Sequence, residues 1–331
     1  MKNLVNALVK MDKVLINKTG IAGTSNNYSF IFDGFKYDDF TAIADKKIFK
    51  KSMDILDFKL EKINMGKEIE LVNENDKVII SNKNESCYGP FIPSVVNTGD
   101  VTELDTDKLI ECLSCTPSDR YNLSIAGVRI DKNGYTSTDT YRLYNIKDSF
   151  CIEVTIPLEV VEFLKTCKAP RIIKLEKLEC STYKIKLDYG TLYFKATELQ
   201  FPDAQHIIRT SNSYCDKEYT INKKTFINVL KKGVKVENND AKYGAIFNFK
   251  RKEFDILVTS SIMEFKATEK VLDGSNENLK ISLNQKFLQS AIAKIKSDTF
   301  TISGSNSSSM VQIQGDDLTR TEIIMPLALR D

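Results

Sequence analysis

The sequence predicts an α+β fold of three similar domains, each made of two helices backed by antiparallel sheet. Three observations predict it. A short β-rich run followed by an amphipathic stretch of about three turns recurs along the chain. Each recurrence has a residue suited to helix entry at its junction. The segments between show strand alternation bounded by Asn, Gly, Asp and Lys turns.

Taken in order, Lys2 to Leu15 predicts a first helix, because Leu4, Leu8, Met11 and Leu15 recur at helical spacing, although no strand precedes it. Five copies of the strand-then-helix unit follow. They are TAIADKKIFKKSMDIL from Thr41, VTELDTDKLIECL from Val101, EVTIPLEVVEFLK from Glu153, EYTINKKTFINVLKKG from Glu218 and KISLNQKFLQSAIAKI from Lys280. Their helices start at Asp45, Asp105, Pro157, Asn222 and Asn284. A short polar side chain there can accept from the open backbone N–H groups of the first turn, and proline has its φ already fixed for a first turn. Strands are predicted in YNLSIAGVRI, GYTSTDTYRLYNI, YKIKLDYGTLYFKA, GAIFNFK, FDILVTSS, TFTISG and MVQIQG. Six helix-plus-sheet units group in pairs, placing domains at 1–104, 105–214 and 215–331.

Composition narrows the function. With 331 residues, 42% hydrophobic and 28% charged, the chain can bury large cores and is neither disordered nor fibrous. No apolar run approaches a membrane span, and Lys10, Asp12 and Lys13 stand where a signal peptide needs its apolar stretch, so a cytoplasmic protein with no membrane partner is expected. Net charge is only +2, with 14 basic and 15 acidic side chains in 1–104, 15 and 15 in 105–214, and 18 and 15 in 215–331. Any nucleic-acid contact must therefore come from local arrangement.

The seven cysteines are odd in number and scattered, which predicts reduced thiols. Cys112 and Cys115 form a C-x-x-C, but a zinc site needs a second ligand pair and the single histidine, His206, is distant in sequence. No metal, no cofactor and no catalytic residue is expected, and one histidine leaves little material for acid–base or triad chemistry.

Three segments then carry a resemblance. TSTDTYRLYN (136–145) resembles the "ATDGHRL" strand end of the bacterial DNA polymerase III beta subunit, the beta sliding clamp. FPDAQHII (201–208) resembles that family's "FPDYRRVI" linker, and EIIMPLALRD (322–331) its C-terminal "VVMPMRL". Their order and spacing agree with the family over 101–331, and the first hundred residues fit loosely. Departures are Thr140 and Tyr141 for the family's Gly-His, His206 for an arginine in the linker, and Ala328 for the arginine after the Met-Pro pair. The chain also runs two residues past the usual terminal leucine, here Leu329, which points to a divergent or phage-encoded member.

The resemblance implies a DNA-clamp fold assembling into a ring, and a non-enzymatic processivity factor that encircles duplex DNA without reading its sequence. Its partners would be DNA, a DNA polymerase and a clamp loader held through short peptide motifs, and a second copy in a head-to-tail homodimer. It further implies a partner-peptide groove between the middle and last domains. Carried over by motif, its walls are Ile125, Thr138, Thr140, Tyr141, Arg142 and Leu143, with Pro202, His206 and Ile207 from the linker. Tyr243, Asn284, Phe287 and Met310 join them, and the tail adds Ile323, Ile324, Met325, Pro326 and Leu327. On residue pattern alone, 323–329 is equally a core-filling edge strand.

The DNA channel of this family is lined by helices. Over 222–235, Phe226, Val229, Leu230 and Val234 share one face while Lys224, Asn228, Lys231 and Lys235 share the other, with no acidic residue. The stretch 284–296 repeats this with Lys286, Lys294 and Lys296 against Phe287, Leu288, Ala291, Ile292 and Ile295. Lys10, Lys13, Lys50 and Lys51 are further candidates, as is Arg120 by its position in the family. A lysine-rich face is commonly just solvated; its repetition at two equivalent positions is what points to phosphates. Two rivals stay open: an enzyme using Cys112 or Cys115, and a monomeric processivity or regulatory protein of clamp-like fold that forms no ring.

Overall fold

The computed structural model describes residues 1–36, 42–66, 68–81, 99–117, 122–236 and 244–329. Its helices are α1 (Lys2–Leu8), α2 (Lys46–Ile55), α3 (Thr106–Cys112), α4 (Leu158–Cys167), α5 (Ala204–Asn212), α6 (Lys223–Gly233) and α7 (Gln285–Lys294). All five predicted junctions are helix N-caps. Asp45 accepts from Lys47 N and Ile48 N, Asp105 from Asp107 N and Lys108 N, Asn222 from Thr225 N, and Asn284 from Lys286 N and Phe287 N. Pro157 caps α4 by backbone conformation alone. Each of these helices follows directly on a strand, at Ala42–Ala44, Val101–Asp105, Val154–Pro157, Lys217–Asn222 and Leu279–Asn284.

Two expectations are corrected. The first helix stops at Leu8 rather than Leu15, because Lys13–Asn17 pairs antiparallel with Gly20–Thr24 and takes Leu15 into the sheet. Met11 is buried all the same, in the turn between them. Gly23 makes room for that turn: a Cβ there would lie 2.5 Å from Met11 Sδ and 2.6 Å from a Leu8 methyl. The FPD segment, read as a linker, opens a helix instead. Asp203 caps α5 by accepting from His206 N at 2.9 Å.

The chain divides into two compact units, 1–113 with 154–199, and 114–153 with 200–331. In the first, an antiparallel sheet runs in the order Ala42–Ala44, Lys13–Asn17, Gly20–Thr24, Tyr28–Phe32, Gly190–Lys195, Thr182–Leu187, Ile172–Lys177, Val101–Asp105. The link between early and late segments is the Tyr28–Phe32 to Gly190–Lys195 pair, which registers Gly190 against Phe32. A Cβ on Gly190 would meet the Ile31 carbonyl oxygen at 2.1 Å, so the pairing needs glycine there. A separate three-stranded sheet is built from Lys62–Met65, Glu68–Val72 and Lys77–Ser81.

In the second unit, Gly127–Asp131, Gly134–Thr138 and Arg142–Ile146 continue into Arg320–Ile324, Val311–Gln314, Thr299–Gly304, Lys217–Asn222 and Asp273–Gly274. The join is the antiparallel register of Arg142 with Ile324, Leu143 with Ile323 and Tyr144 with Glu322. A four-stranded sheet, Glu264–Lys270, Glu253–Thr259, Gly244–Phe249 and Leu279–Asn284, completes this unit. Between its sheets and α6 and α7 lies a core that includes Phe226, Phe247, Phe249, Phe254, Phe300, Ile302 and Ile324. Both units thus draw strands from two distant stretches of sequence.

Candidate functional site

Strand alternation sends Ile323 and Ile324 to opposite faces of the last strand. Ile324 enters the aromatic core, so it is core rather than groove wall. Ile323, with its register partner Leu143, forms a separate buried cluster with Ile125, Phe201 and Ala204. Ile207, Ile208 and Met310 pack on it and are only partly buried. This small apolar site draws on the Ile125 turn, two strands and one face of α5. Of the residues that the resemblance placed along a groove, Ile125, Leu143, Ile207, Met310 and Ile323 come together here. Phe201, Ala204 and Ile208 were missed, and the signal for them was the capping Asp203 with apolar residues at helical spacing after it.

The turn between Gly134–Thr138 and Arg142–Ile146 borders the site and is held by its own side chains. Thr138 Oγ1 donates to Arg142 O at 2.7 Å and accepts from Thr140 N at 3.1 Å. Asp139 Oδ1 accepts from Tyr141 N at 3.1 Å and Arg142 N at 3.0 Å, and its Oδ2 accepts from Arg142 Nε at 2.9 Å. The ring of Tyr141 stands in solvent at 63% exposure. Its carbonyl accepts from Met325 N at 2.9 Å, and Leu327 N donates to Ser282 O at 2.8 Å, which fixes the Met325-Pro326-Leu327 tail. Met325 remains 43% exposed. Pro202 and His206 are exposed, Pro326 and Leu327 half-buried, and Asn284 caps α7. Tyr243 lies outside the described residues.

Thr140 adopts φ +75°, a left-handed conformation in which a β-branched side chain is strained. Thr140→Gly is therefore expected to stabilise the protein by about 1 kcal/mol, net of the extra freedom that glycine gives the unfolded chain. A higher urea midpoint at unchanged slope would register this.

Beside the apolar cluster sits a buried ionic network. Glu322, 2% exposed, lies 3.7 Å from Arg142 Nη1 and 2.5 Å from Lys294 Nζ. Arg142 also donates to Ser114 O, and its guanidinium stacks 4.3 Å over the Phe287 ring. Lys294 donates to Ser114 Oγ at 2.8 Å and lies 3.8 Å above the Tyr144 ring. This corrects the reading of Lys294 as a phosphate contact: its ammonium is turned inward and paired. The Cys115 thiol donates to Glu322 Oε1 at 3.4 Å. Burial first, and then the Glu322 charge, push that thiol up to about 12, and Cys112 is fully buried. Both features weigh against a thiolate nucleophile or redox pair.

The remaining predicted phosphate contacts stand on exposed positions. On α6, Phe226, Val229 and Leu230 are buried and Val234 half-buried, while Lys224, Asn228, Lys231 and Lys235 face solvent. Lys286 and Lys296 are exposed at either end of α7, the latter just past its last turn. Lys10, Lys13, Lys50 and Lys51 are exposed as well, Lys10 donating to Thr166 Oγ1 at 3.2 Å. Arg120 is outside the described residues. Among those residues, no helix is long and apolar enough to cross a membrane.

No protein-family model and no curated protein sequence matches the chain. Solved structures do. The DNA polymerase III beta subunit of Thermotoga maritima superposes with a TM-score of 0.82 at 15% identity, covering 99% of this chain and 97% of that one. The DNA polymerase sliding clamp of Bacillus subtilis gives 0.81 at 15% identity, with the same coverage. A sliding clamp from Bartonella birtlesii, solved bound to griselimycin, gives 0.80 at 14% identity, again over 99% and 97%. With so little sequence shared, the likeness is one of architecture, and it extends over essentially the whole chain: the protein has the fold of the bacterial DNA polymerase III beta subunit, the sliding clamp.

Proposed function

We propose that this protein is a DNA sliding clamp, a non-enzymatic processivity factor that encircles duplex DNA and holds a DNA polymerase and a clamp loader by short peptides. The observation that carries the reading is the end-to-end match to clamp structures, with coverage of 99% of this chain and 97% of the other. It extends to the chain as three clamp domains, 1–104, 105–214 and 215–331, and to a head-to-tail homodimer with six domains around the ring. Sheet edges that are open among the described residues support the dimer. Glu264–Lys270 is an edge strand preceded by the exposed Ile262 and Met263, and Lys77–Ser81 is an edge strand carrying the exposed Ile79. A cytoplasmic site of action accompanies the reading.

Partner peptides would dock on the cluster of Ile125, Leu143, Phe201, Ala204 and Ile323, with Tyr141 and Met325 at its edge. An extended peptide gains most of its affinity from one or two apolar side chains placed in such a site. Phosphates would meet Lys224, Lys231 and Lys235 of the α6 face, with Lys286, Lys296, Lys10, Lys13, Lys50 and Lys51 as further contacts. A ring retained by encirclement needs only weak, sliding contact, which reconciles DNA binding with a net charge of +2.

Loading onto closed circular and linear plasmid tests the reading. The wild type should sediment as a dimer, stay on the closed circle at high salt and run off once the plasmid is cut. Lys224→Glu, Lys231→Glu and Lys235→Glu together should reduce loading at least roughly tenfold, with the salt slope shallower by about 0.9 for each phosphate that is no longer neutralised. A monomer that never stays on closed circles would instead establish the ringless alternative.

A further inference from the structure

We propose that Glu322 is a positioning residue for the peptide groove, holding Arg142 and through it the turn that carries Tyr141 and anchors the tail. The inference rests on the groove reading above. Glu322 lies on the same strand as Ile323 but on the opposite face, pairing in register with Tyr144, so it touches no residue of the apolar cluster through that face. Its carboxylate instead joins two cations from different parts of the chain, Arg142 Nη1 at 3.7 Å and Lys294 Nζ at 2.5 Å.

From Arg142 the contacts run outward in one direction. Its Nε is held 2.9 Å from Asp139 Oδ2, and the other oxygen of Asp139 accepts the amides of Tyr141 and Arg142. Tyr141 O then accepts from Met325 N. Asp139, Ser114 O and the Phe287 ring hold the rest of the guanidinium, and among the described residues Arg142 Nη1 has no aligned hydrogen-bond acceptor, so on that side its restraint is the ion pair with Glu322. The carboxylates of Asp139 and Glu322 balance the charges of Arg142 and Lys294, in a region where an unbalanced charge is strongly unfavourable. Neutralising Glu322 alone would leave one positive charge in excess there. Removing the Lys294 charge as well restores the balance while Arg142 keeps Asp139 but still lacks the Glu322 carboxylate. Stability and positioning can thus be separated.

The test compares wild type, Glu322→Gln and the double variant Glu322→Gln with Lys294→Met. Three quantities are read: the thermal midpoint, amide exchange at Met325 against Phe247 in the sheet of the aromatic core, and griselimycin affinity. Glu322→Gln should melt well below wild type, and the double variant should recover most of that loss. In the double variant the Met325 amide should still exchange about tenfold faster than in wild type while Phe247 is unchanged, and griselimycin should bind about tenfold more weakly, the scale of one coupling between groups that touch. A double variant with wild-type Met325 exchange overturns the proposal. So does one in which Phe247 accelerates along with Met325, since the network would then serve stability alone. If griselimycin fails to bind even the wild type while Met325 responds as stated, the positioning role stands and the groove reading falls.

Discussion

If the proposed groove takes griselimycin, the ligand of the Bartonella birtlesii clamp, a chain ending at Ile324 is expected to fold and yet to bind it at least about 100-fold more weakly than the intact protein, a loss within the range seen when interface anchors are removed. The basis is where the tail is fastened. Among the described residues, the backbone bonds that hold it are Met325 N to Tyr141 O and Leu327 N to Ser282 O, and each contributes about 1 kcal/mol to stability. The residues that build the core, Ile324 among them, stay in place, as does the Ile323 cluster. Removal therefore takes Met325, Pro326 and Leu327 from the edge of the apolar cluster, one wall of the groove proposed above, at modest cost to the fold. Titration with labelled griselimycin, beside a urea melt of the same sample, reads both quantities. Full retention of affinity by the shortened chain would remove the tail from the site.

The largest effect on stability is expected at Phe226, the residue of α6 on which the aromatic core converges. Its ring lies 5.1 Å from Phe254, 5.2 Å from Phe300 and 5.7 Å from Phe247, and it is 1% exposed. Phe226→Ala leaves a cavity that its ring neighbours, pinned on three strands, cannot close, and should destabilise by about 3–5 kcal/mol. That is a large share of the ~5–15 kcal/mol by which a domain is ordinarily stable. Phe226→Leu, which keeps most of the volume, should lose less than half as much. A fall in urea midpoint measures both, and equal losses for Ala and Leu would show that the ring–ring packing rather than the filled volume matters.

Helix starts were legible in the sequence because capping is local chemistry: an Asp or Asn beside its own N–H groups acts whatever surrounds it. The apolar cluster was foreshadowed only through the resemblance, since residues 125, 143, 207, 310 and 323 meet by tertiary pairing. Periodicity misled at the start of the chain, where Leu15 keeps helical step with Leu8 but lies in a strand whose residues 14–17 are all buried, so no alternation marks it. It misled again at Lys294, which has a solvent-type pattern on α7 but is drawn inward by Glu322 and the Tyr144 ring. The ionic network left no local trace, because Ser114, Arg142, Lys294 and Glu322 are spread along the chain from position 114 to position 322.

The strand pairings that join distant segments, Tyr28–Phe32 with Gly190–Lys195 and Arg142–Ile146 with Arg320–Ile324, bear on how the gene can be handled. Scissors placed at the repeat junctions would leave a central fragment with two bare ladders, one wanting a neighbour from each flank. Such a piece would glue itself to its own kind sooner than stand alone. Excised parts, chimeras and permuted versions should instead keep each stitched pair intact, even where that means joining pieces that the ribosome makes more than a hundred residues apart.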